Sequence, residues 1–540
     1  MGKGIKDDYF LGLDIGTESV GYAVTNDEYK VLKFNGKSMW GSRLFDEAST
    51  AEDRRVFRGN SRRVKRRRWR LELLQELFAE EISKVDMGFY QRLNESALFK
   101  EDKSFDEKYS LFNDNGYTDD QFYKEFKTIY HLRKALLEGD REFDVRLVYL
   151  AIHHILKNRG HFLFTGSIEN TMSFDTAFEN FKECLNEELN IELLCNYKKE
   201  LEQVIKNKSL TKKDKNNKIA TLLNCSKSDK QLKAIIGLIS GSKVKLVDVF
   251  NDDKLDDIEK PSISFEEGSY DNLRIILEDD LQDRCNTLDV IKSIYDWAIL
   301  VDILKCDNNE KNMFLSSAKV RVFEEHKEDL ALLKKVIKAY DKDVYVKFFK
   351  KGEKDNYSSY IGFMEKNNKK KSLKKCSKED FYKNVSSIIK KIKEVNGENE
   401  DIYIIEERLA SNSFMPLQVT KSNGVIPYQV NYMELKKILE HANKYLTFLS
   451  DKDNDGISVS DKILSLLEFK IPYYVGPINT YHGRNAWMVR KEEGKITPWN
   501  FDKKVDIDES ANLFIRRMTN KCTYLVGKDV LPKCSLIYSE

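Results

Sequence analysis

Proline is scarce in this 540-residue chain: there are seven, the first is Pro261 and the other six stand at Pro416 or later. No helix breaker of that kind interrupts the first 260 residues. Cysteine is sparse and scattered. Cys184, Cys195, Cys225, Cys285, Cys306, Cys376, Cys522 and Cys534 form no CxxC pair and have no nearby histidine at finger spacing. That removes a zinc finger and a disulfide framework, and reads as free thiols in a reducing compartment. Long apolar runs are missing too. None approaches the roughly 18 residues of a membrane span, and no secretory apolar segment follows Met1, so a soluble protein of the cytoplasm is the expectation. Net charge is small, only +2, and no repeat of fixed period is visible.

What is present is apolar residue enough for real cores, 41% of the chain with 11% aromatic, spread over a length that predicts about three to four domains. The fold class expected is mainly α. The first 45 residues differ in texture: "YFLGLDIG", "SVGYAVTND" and "YKVLKFNGKSMWGSRLF" are short β-branched or aromatic runs bounded by Gly, Asn and Asp, which predicts strands joined by tight turns. Two or three strands are too few for a stable sheet, so this segment needs covering strands or helices from elsewhere.

The strongest local signal is "RRVFRGNSRRVKRRRWR", residues 54–70, in which nine residues are Arg, one is Lys and none is acidic. On a helix it spans roughly 25 Å, with Arg55, Arg58, Arg62 and Arg66 on one face and Arg63, Arg67 and Arg70 on the neighbouring stripe. Gly59 marks a bend or a helix start near "GNS". So dense a run of like charge repels itself and is stabilised by anions; its arginines favour bidentate phosphate contacts. Nucleic acid is the leading partner, with a solvated or localisation helix and an acidic protein partner as the other uses of such runs. Five to seven neutralised phosphates would give a log–log salt slope of about −4 to −6.

From residue 85 to 470 one amphipathic helix follows another, "FDVRLVYLAIHHILKNRGHFLF" and "NYMELKKILEHANKYLTFLSD" being the clearest, with an acidic loop at 251–272 and a Lys-rich one at 365–380. The tail brings back Pro, Gly and aromatics and predicts irregular structure with short strands. In "LGLDIGTESVGYAV" a strand delivers Asp14 to a Gly-Thr turn, a setting that suits a divalent metal and phosphate. Other readings remain: a strand end whose carboxylate bonds its own turn, or the nucleotide sheet of an actin-like phosphotransferase.

Taken together, "LGLDIGTESVGYAV", "RRRWRLELLQELFAEEISKVD", "FDVRLVYLAIHHILKNRGHFLF", "IPYYVGP", "AWMVRK", "ITPWNF" and "VLPKCSL" resemble, in order, the amino-terminal part of CRISPR type II RNA-guided DNA endonucleases, the Cas-nine family. The resemblance implies a first RuvC-like, RNase H-like segment at 1–48, an Arg-rich bridge helix at 49–84, and a helical recognition lobe at 85–540, with subdivisions near 251–272 and 365–380. It implies that phosphates of the guide RNA lie along Arg55, Arg58, Arg62, Arg66 and Arg70, with Arg63 and Arg67 in the same block. His154, Lys157, Arg159 and His161 would face the repeat-derived RNA duplex, and Lys470, Tyr473 and Asn520 the guide–target heteroduplex backbone. The two histidines equally suit packed core positions, and Trp487, Trp499, Tyr473 and Tyr474 read as core.

By the same likeness Asp14 would be the metal-binding and catalytic aspartate for cutting the non-target strand, with Mg²⁺ or Mn²⁺ as cofactor. The implied partners are a CRISPR guide RNA with its trans-activating RNA, target DNA, and the remaining carboxy-terminal half of the nuclease, in a monomer of the bacterial cytoplasm with no membrane contact. The family's further carboxylates, HNH module and PAM-reading domain are absent from these 540 residues; His131, His153, His154, His161, His326, His441 and His482 show no His-metal finger pattern. No cleavage by this polypeptide alone is therefore expected. A non-catalytic RNA-binding helical protein is the second reading.

Overall fold

The computed structural model describes residues 8–16, 18–45, 51–95, 111–114, 116–163, 173–193, 195, 197–207, 210–256, 258, 260–266, 270–281, 283–304, 314–349, 355–362, 376–472 and 488–518. The chain is mainly helical, with a small sheet at its start. Among the described residues no helix is long and apolar enough to cross a membrane.

Strands β1 (Phe10–Ile15), β2 (Ser19–Thr25) and β3 (Trp40–Leu44) form an antiparallel sheet in that order, with Asp14 opposite Gly21 and Ser19 opposite Leu44. The period-2 alternation puts Leu11, Leu13 and Ile15 on one face and Gly12 and Asp14 on the other. Every residue of β1 is exposed on both faces, and Val24 is the one buried hydrophobic residue of the three strands. Covering strands or helices for this sheet are not supplied by the described residues.

The Arg-rich stretch forms one helix, α1 (Ala51–Val85), of 35 residues. It runs straight through "GNS", which corrects the expected break at Gly59. A Cβ on Gly59 would lie 2.5 Å from Ile275 Cδ1, so the missing side chain lets α1 approach a neighbouring helix. The glycine is read correctly as special and wrongly as a bend, because helix–helix proximity leaves no local signature.

Among the helices that follow are α2 (Ile129–Glu138), α3 (Val145–Lys157), α4 (Phe174–Leu189), α5 (Tyr270–Leu281), α6 (Arg284–Leu304), α7 (Leu315–Tyr340), α8 (Lys378–Asn396), α9 (Glu400–Ala410), α10 (Tyr428–Ala442) and α11 (Val459–Glu468), with others between and after them. Three main apolar cores result. The first joins Leu73, Leu74, Phe78 and Ile82 of α1 to α2, α3, α10 and α11. The second spans α4 to α6 and the third α7 to α9.

The two loops expected to divide the lobe do not separate its cores. Leu255, Ile263 and Phe265, inside the acidic stretch 251–272, are buried in the second core together with the helices on either side. Residues 365–375 of the Lys-rich loop lie outside the described residues, and its flanks share the third core, where the rings of Tyr360 and Phe381 stack at 4.1 Å. Loop composition reports exposure, whereas a core is defined by which apolar faces meet. In the tail, Val489–Arg490 pairs with Val505–Asp506 as short strands, as expected, and Trp499 is half-buried against the first core. Trp487, Tyr473, Tyr474 and Asn520 lie outside the described residues.

Candidate nucleic-acid interface

Helix α1 has two halves with different surroundings. Toward its C-terminus Leu73, Leu74, Phe78 and Ile82 are buried at helical spacing, which fixes that half in the first core. Toward its N-terminus Arg58, Lys65 and Arg68 are exposed, while Arg55, Arg62, Arg63, Arg66 and Arg67 are half-buried. Arg70, at the junction, is buried.

Several guanidiniums here are held by neutral oxygens. Arg63 Nη1 donates to Asn272 Oδ1 at 2.8 Å and to Asn60 Oδ1 at 3.2 Å. Arg66 Nη1 donates to the Ile471 carbonyl at 3.2 Å. Arg70 donates to the carbonyls of Leu156 and Arg66, each at 3.4 Å. Arg159 Nη1 donates to the carbonyls of Leu467 at 3.2 Å and Phe469 at 2.8 Å, and its guanidinium lies 4.4 Å from the centre of the Phe162 ring. Leu156 and Leu467 stand in the last turns of α3 and α11, where unpaired carbonyls and the negative end of the helix dipole favour a cation.

Carbonyls satisfy donors without supplying a counter-charge. Burial, then Arg67 and Arg66, pushes Arg70 down to about 10; burial, then Arg70 and Arg66, pushes Arg159 down to about 8. Both remain cations at neutral pH. Three guanidiniums thus converge on one junction, with Lys470 exposed beside it.

The segment after α3 is locked to the start of α10. His161 N donates to the Ile426 carbonyl at 3.1 Å and Tyr428 N to the His161 carbonyl at 3.0 Å. His161 Nε2 donates to the Val425 carbonyl at 2.7 Å, while its Nδ1 accepts from Leu163 N at 3.2 Å, which fixes a neutral tautomer. Phe162 stacks on Tyr428 at 4.4 Å. Gly160 makes this approach feasible: its φ is +93°, and a Cβ there would lie 2.5 Å from the Ile426 carbonyl oxygen.

His154 points inward. Arg133 Nη1 lies 3.1 Å from His154 Nδ1, so the imidazole accepts and is neutral. Arg133 Nε also donates to Glu434 Oε1 at 2.7 Å and Nη2 to Asn431 Oδ1 at 3.1 Å. Glu434 Oε2 accepts from Ser316 N at 3.1 Å, and Asn431 Nδ2 donates to the Asn158 carbonyl at 3.3 Å. This buried network ties α2, α3, α7 and α10 together. Sequence reading missed Arg133, Asn431 and Glu434; the available signal was a polar residue interrupting an apolar helical stripe.

Burial, then Arg133, His153 and Lys157, pushes His154 down to about 3; burial, then Lys157, pushes His153 down to about 4. The unfolded chain binds a proton on each below about pH 6.5 that the folded chain refuses. Stability therefore falls as pH drops below 6.5, by about 1.4 kcal/mol per unit for each histidine. Urea midpoints at about pH 7 and about pH 5.5 check this, and His154→Gln is expected to remove part of the difference, burial holding His131 and His326 down as well.

Of the remaining expected site residues, Lys157 is exposed at the end of α3. Asp14 is exposed on the face of β1 that also carries Gly12, and across from it Gly21 leaves open space around the carboxylate. Among the described residues no group of three or more His, Cys, Asp or Glu side chains could hold a metal ion. Thr17 lies outside the described residues.

Comparison with known proteins adds two kinds of match. Residues 54–86 match the family model described as the bridge helix of CRISPR-associated endonuclease Cas9, and residues 174–540 match the one described as its REC lobe. CRISPR-associated endonuclease Cas9 of Listeria innocua serovar 6a is 35% identical over 554 residues, covering 99% of this chain and 39% of the relative. The protein of that name from Streptococcus mutans serotype c is 34% identical over 550 residues, covering 99% and 38%. The chain spans about two-fifths of the length of these curated relatives.

Proposed function

The chain belongs to the family of CRISPR-associated endonuclease Cas9, and from that premise we propose that α1 and the surfaces beside it hold the phosphate backbone of a guide RNA. The observation that carries this reading is the junction of α1, α3 and α11, where Arg70, buried, and Arg159, half-buried, are cations held on carbonyl oxygens. A polyanion laid along the exposed side of α1 supplies the charge that these carbonyls do not. Arg55, Arg58, Arg62, Arg63, Arg66 and Arg67 then meet guide phosphates, with Lys157 and Lys470 at the rim. Arg70, Arg159, His154 and His161 act mainly by bracing that surface. Shape and charge hold the duplex while base pairing reads the target sequence.

Asp14 is assigned to a RuvC-like site that cuts the non-target DNA strand with Mg²⁺ or Mn²⁺. The described residues offer one carboxylate on that sheet, too few for a two-metal site. The sheet's uncovered faces suit completion by further segments of the nuclease.

Binding of the purified chain to a structured guide RNA and to an unrelated RNA of equal length, across a salt series, tests the central claim. Changing Arg58 and Arg67 together to Ala is expected to weaken guide binding and flatten the log–log slope by about 1.4. Equal, steeply salt-dependent binding to both RNAs would reduce α1 to an electrostatic patch. Adding the carboxy-terminal half in trans tests the enzymatic claim: guide-dependent cutting that vanishes with Asp14→Ala supports it, and RNA binding without cutting favours a non-catalytic role.

A further inference from the structure

After α10 and running into the first turn of α11, the sequence "DKDNDGISVSDK", Asp451 to Lys462, has the spacing of a twelve-residue divalent-cation loop. Carboxylates stand at its first, third and fifth positions (Asp451, Asp453, Asp455) and glycine at the sixth (Gly456, φ +77°). The twelfth position, where such loops place the bidentate glutamate, is Lys462.

The ammonium of that lysine takes up the charge an ion would balance. Lys462 Nζ lies 2.7 Å from Asp453 Oδ2, and the lysine side chain is only 13% exposed, its ammonium 5.6 Å from the centre of the Trp499 ring. Asp453 Oδ1 accepts from the backbone N–H groups of Asp455 and Ile457, each at 3.0 Å. Lys503, from the tail, reaches Asp455 Oδ1 at 2.8 Å. The Ile457 carbonyl, which in a cation loop would turn toward the ion, accepts from Asp453 N at 3.1 Å instead. Lys452 and Ser458 close the loop as an antiparallel bridge, and Val459 N donates to the Asp451 carbonyl at 3.1 Å.

We propose that residues 451–462 form a self-liganded cation loop, in which the Lys462 ammonium replaces a divalent ion and clasps the start of α11 to the 498–503 segment without any metal. The first, third and fifth positions and the sixth-position glycine are kept in type, the ninth is Val459, which offers no side-chain oxygen, and the twelfth carries the opposite charge to the glutamate such loops place there. The consequence is local independence from divalent cations at a junction whose far end, the C-terminal turn of α11, receives Arg159.

Thermal melting of the purified chain in EDTA and in millimolar Ca²⁺ or Mg²⁺ tests this, with Ca²⁺ binding followed by calorimetry. The natural sequence is expected to melt at the same temperature in all three. Lys462→Glu is expected to melt lower in EDTA, to recover in Ca²⁺, and to bind Ca²⁺ at least about tenfold more tightly than the natural chain. Adding Asp453→Asn to that variant is expected to abolish the recovery. Stabilisation of the natural chain by Ca²⁺ that Asp453→Asn removes would overturn the proposal, as would a folded Lys462→Glu chain that ignores Ca²⁺. If Lys462→Glu does not fold, Lys462→Gln serves: weak Ca²⁺-dependent stabilisation supports the clasp, and indifference to Ca²⁺ overturns it.

Discussion

Replacing Glu434 by Ala lowers the stability of the first core by about 3–5 kcal/mol, the range for removing one partner of a fully buried ion pair. The substitution strands the Arg133 guanidinium, which is 1% exposed, and leaves the Ser316 N–H without an acceptor. The charge, more than the contact, sets the size of the effect: an unpaired cation in a dry site is penalised far beyond the net value of the pair. Removing both charges at once, with Arg133→Met and Glu434→Leu, is expected to cost less than Glu434→Ala alone, because no charge is stranded, although the Ser316 N–H and Asn431 Oδ1 still lose their partners. Urea unfolding of the two single variants and the double variant measures this as a coupling energy. A Glu434→Ala loss below about 1 kcal/mol would mean that the network is solvated and does not hold α2, α3, α7 and α10 together.

Gly160→Ala is the second large effect, expected at about 3 kcal/mol or more. The new methyl carbon would stand 2.5 Å from the Ile426 carbonyl oxygen, 2.7 Å from the Pro427 carbonyl carbon and 2.9 Å from Tyr428 N, all of them backbone. No side-chain rotation relieves such a clash; residues 159–163 must leave 425–428 and take Arg159 away from the α11 carbonyls. Gly397 is the control. It also has positive φ, +75° with ψ −177°, a conformation that L residues avoid, but nothing lies within 4 Å of its would-be Cβ, so Gly397→Ala should carry the backbone penalty of about 1–3 kcal/mol without the clash. Guide-RNA affinity is expected to fall with Gly160→Ala and to be retained with Gly397→Ala. Equal stability losses for the two would show that conformation alone, without the close approach, fixes Gly160.

The reach of the sequence follows the range of each interaction. Charge spacing and apolar periodicity are local, so the Arg helix and the early strands are legible from residues 1–85 and the helical class from the apolar periodicity of 85–470. Gly59 and Gly160 are both visible as glycines, but what each one faces, Ile275 in one case and Ile426 in the other, is set by contacts more than two hundred residues away. The same holds for His154: its apolar helix leaves it open between an RNA contact and a packed group, and only Arg133 and Glu434 decide that it is neutral and inward. The acidic stretch 251–272 misleads for a related reason. Its charges advertise solvent, while the three apolar residues that bury it are too few to register as a pattern.

The unbroken course of α1 through Gly59 has one more consequence. A straight rod pinned at one end turns any upstream change of length into a change of direction. With Arg66 held on the Ile471 carbonyl just past α11 and Arg70 on α3, a single residue inserted between Arg63 and Arg66 would rotate Arg55, Arg58 and Arg62 by about 100° around the axis, whereas four inserted residues would bring them back to within about 40° of their starting azimuth. The spacing of these arginines thus works as a phase, and length variation in this helix is tolerable only in near-whole turns.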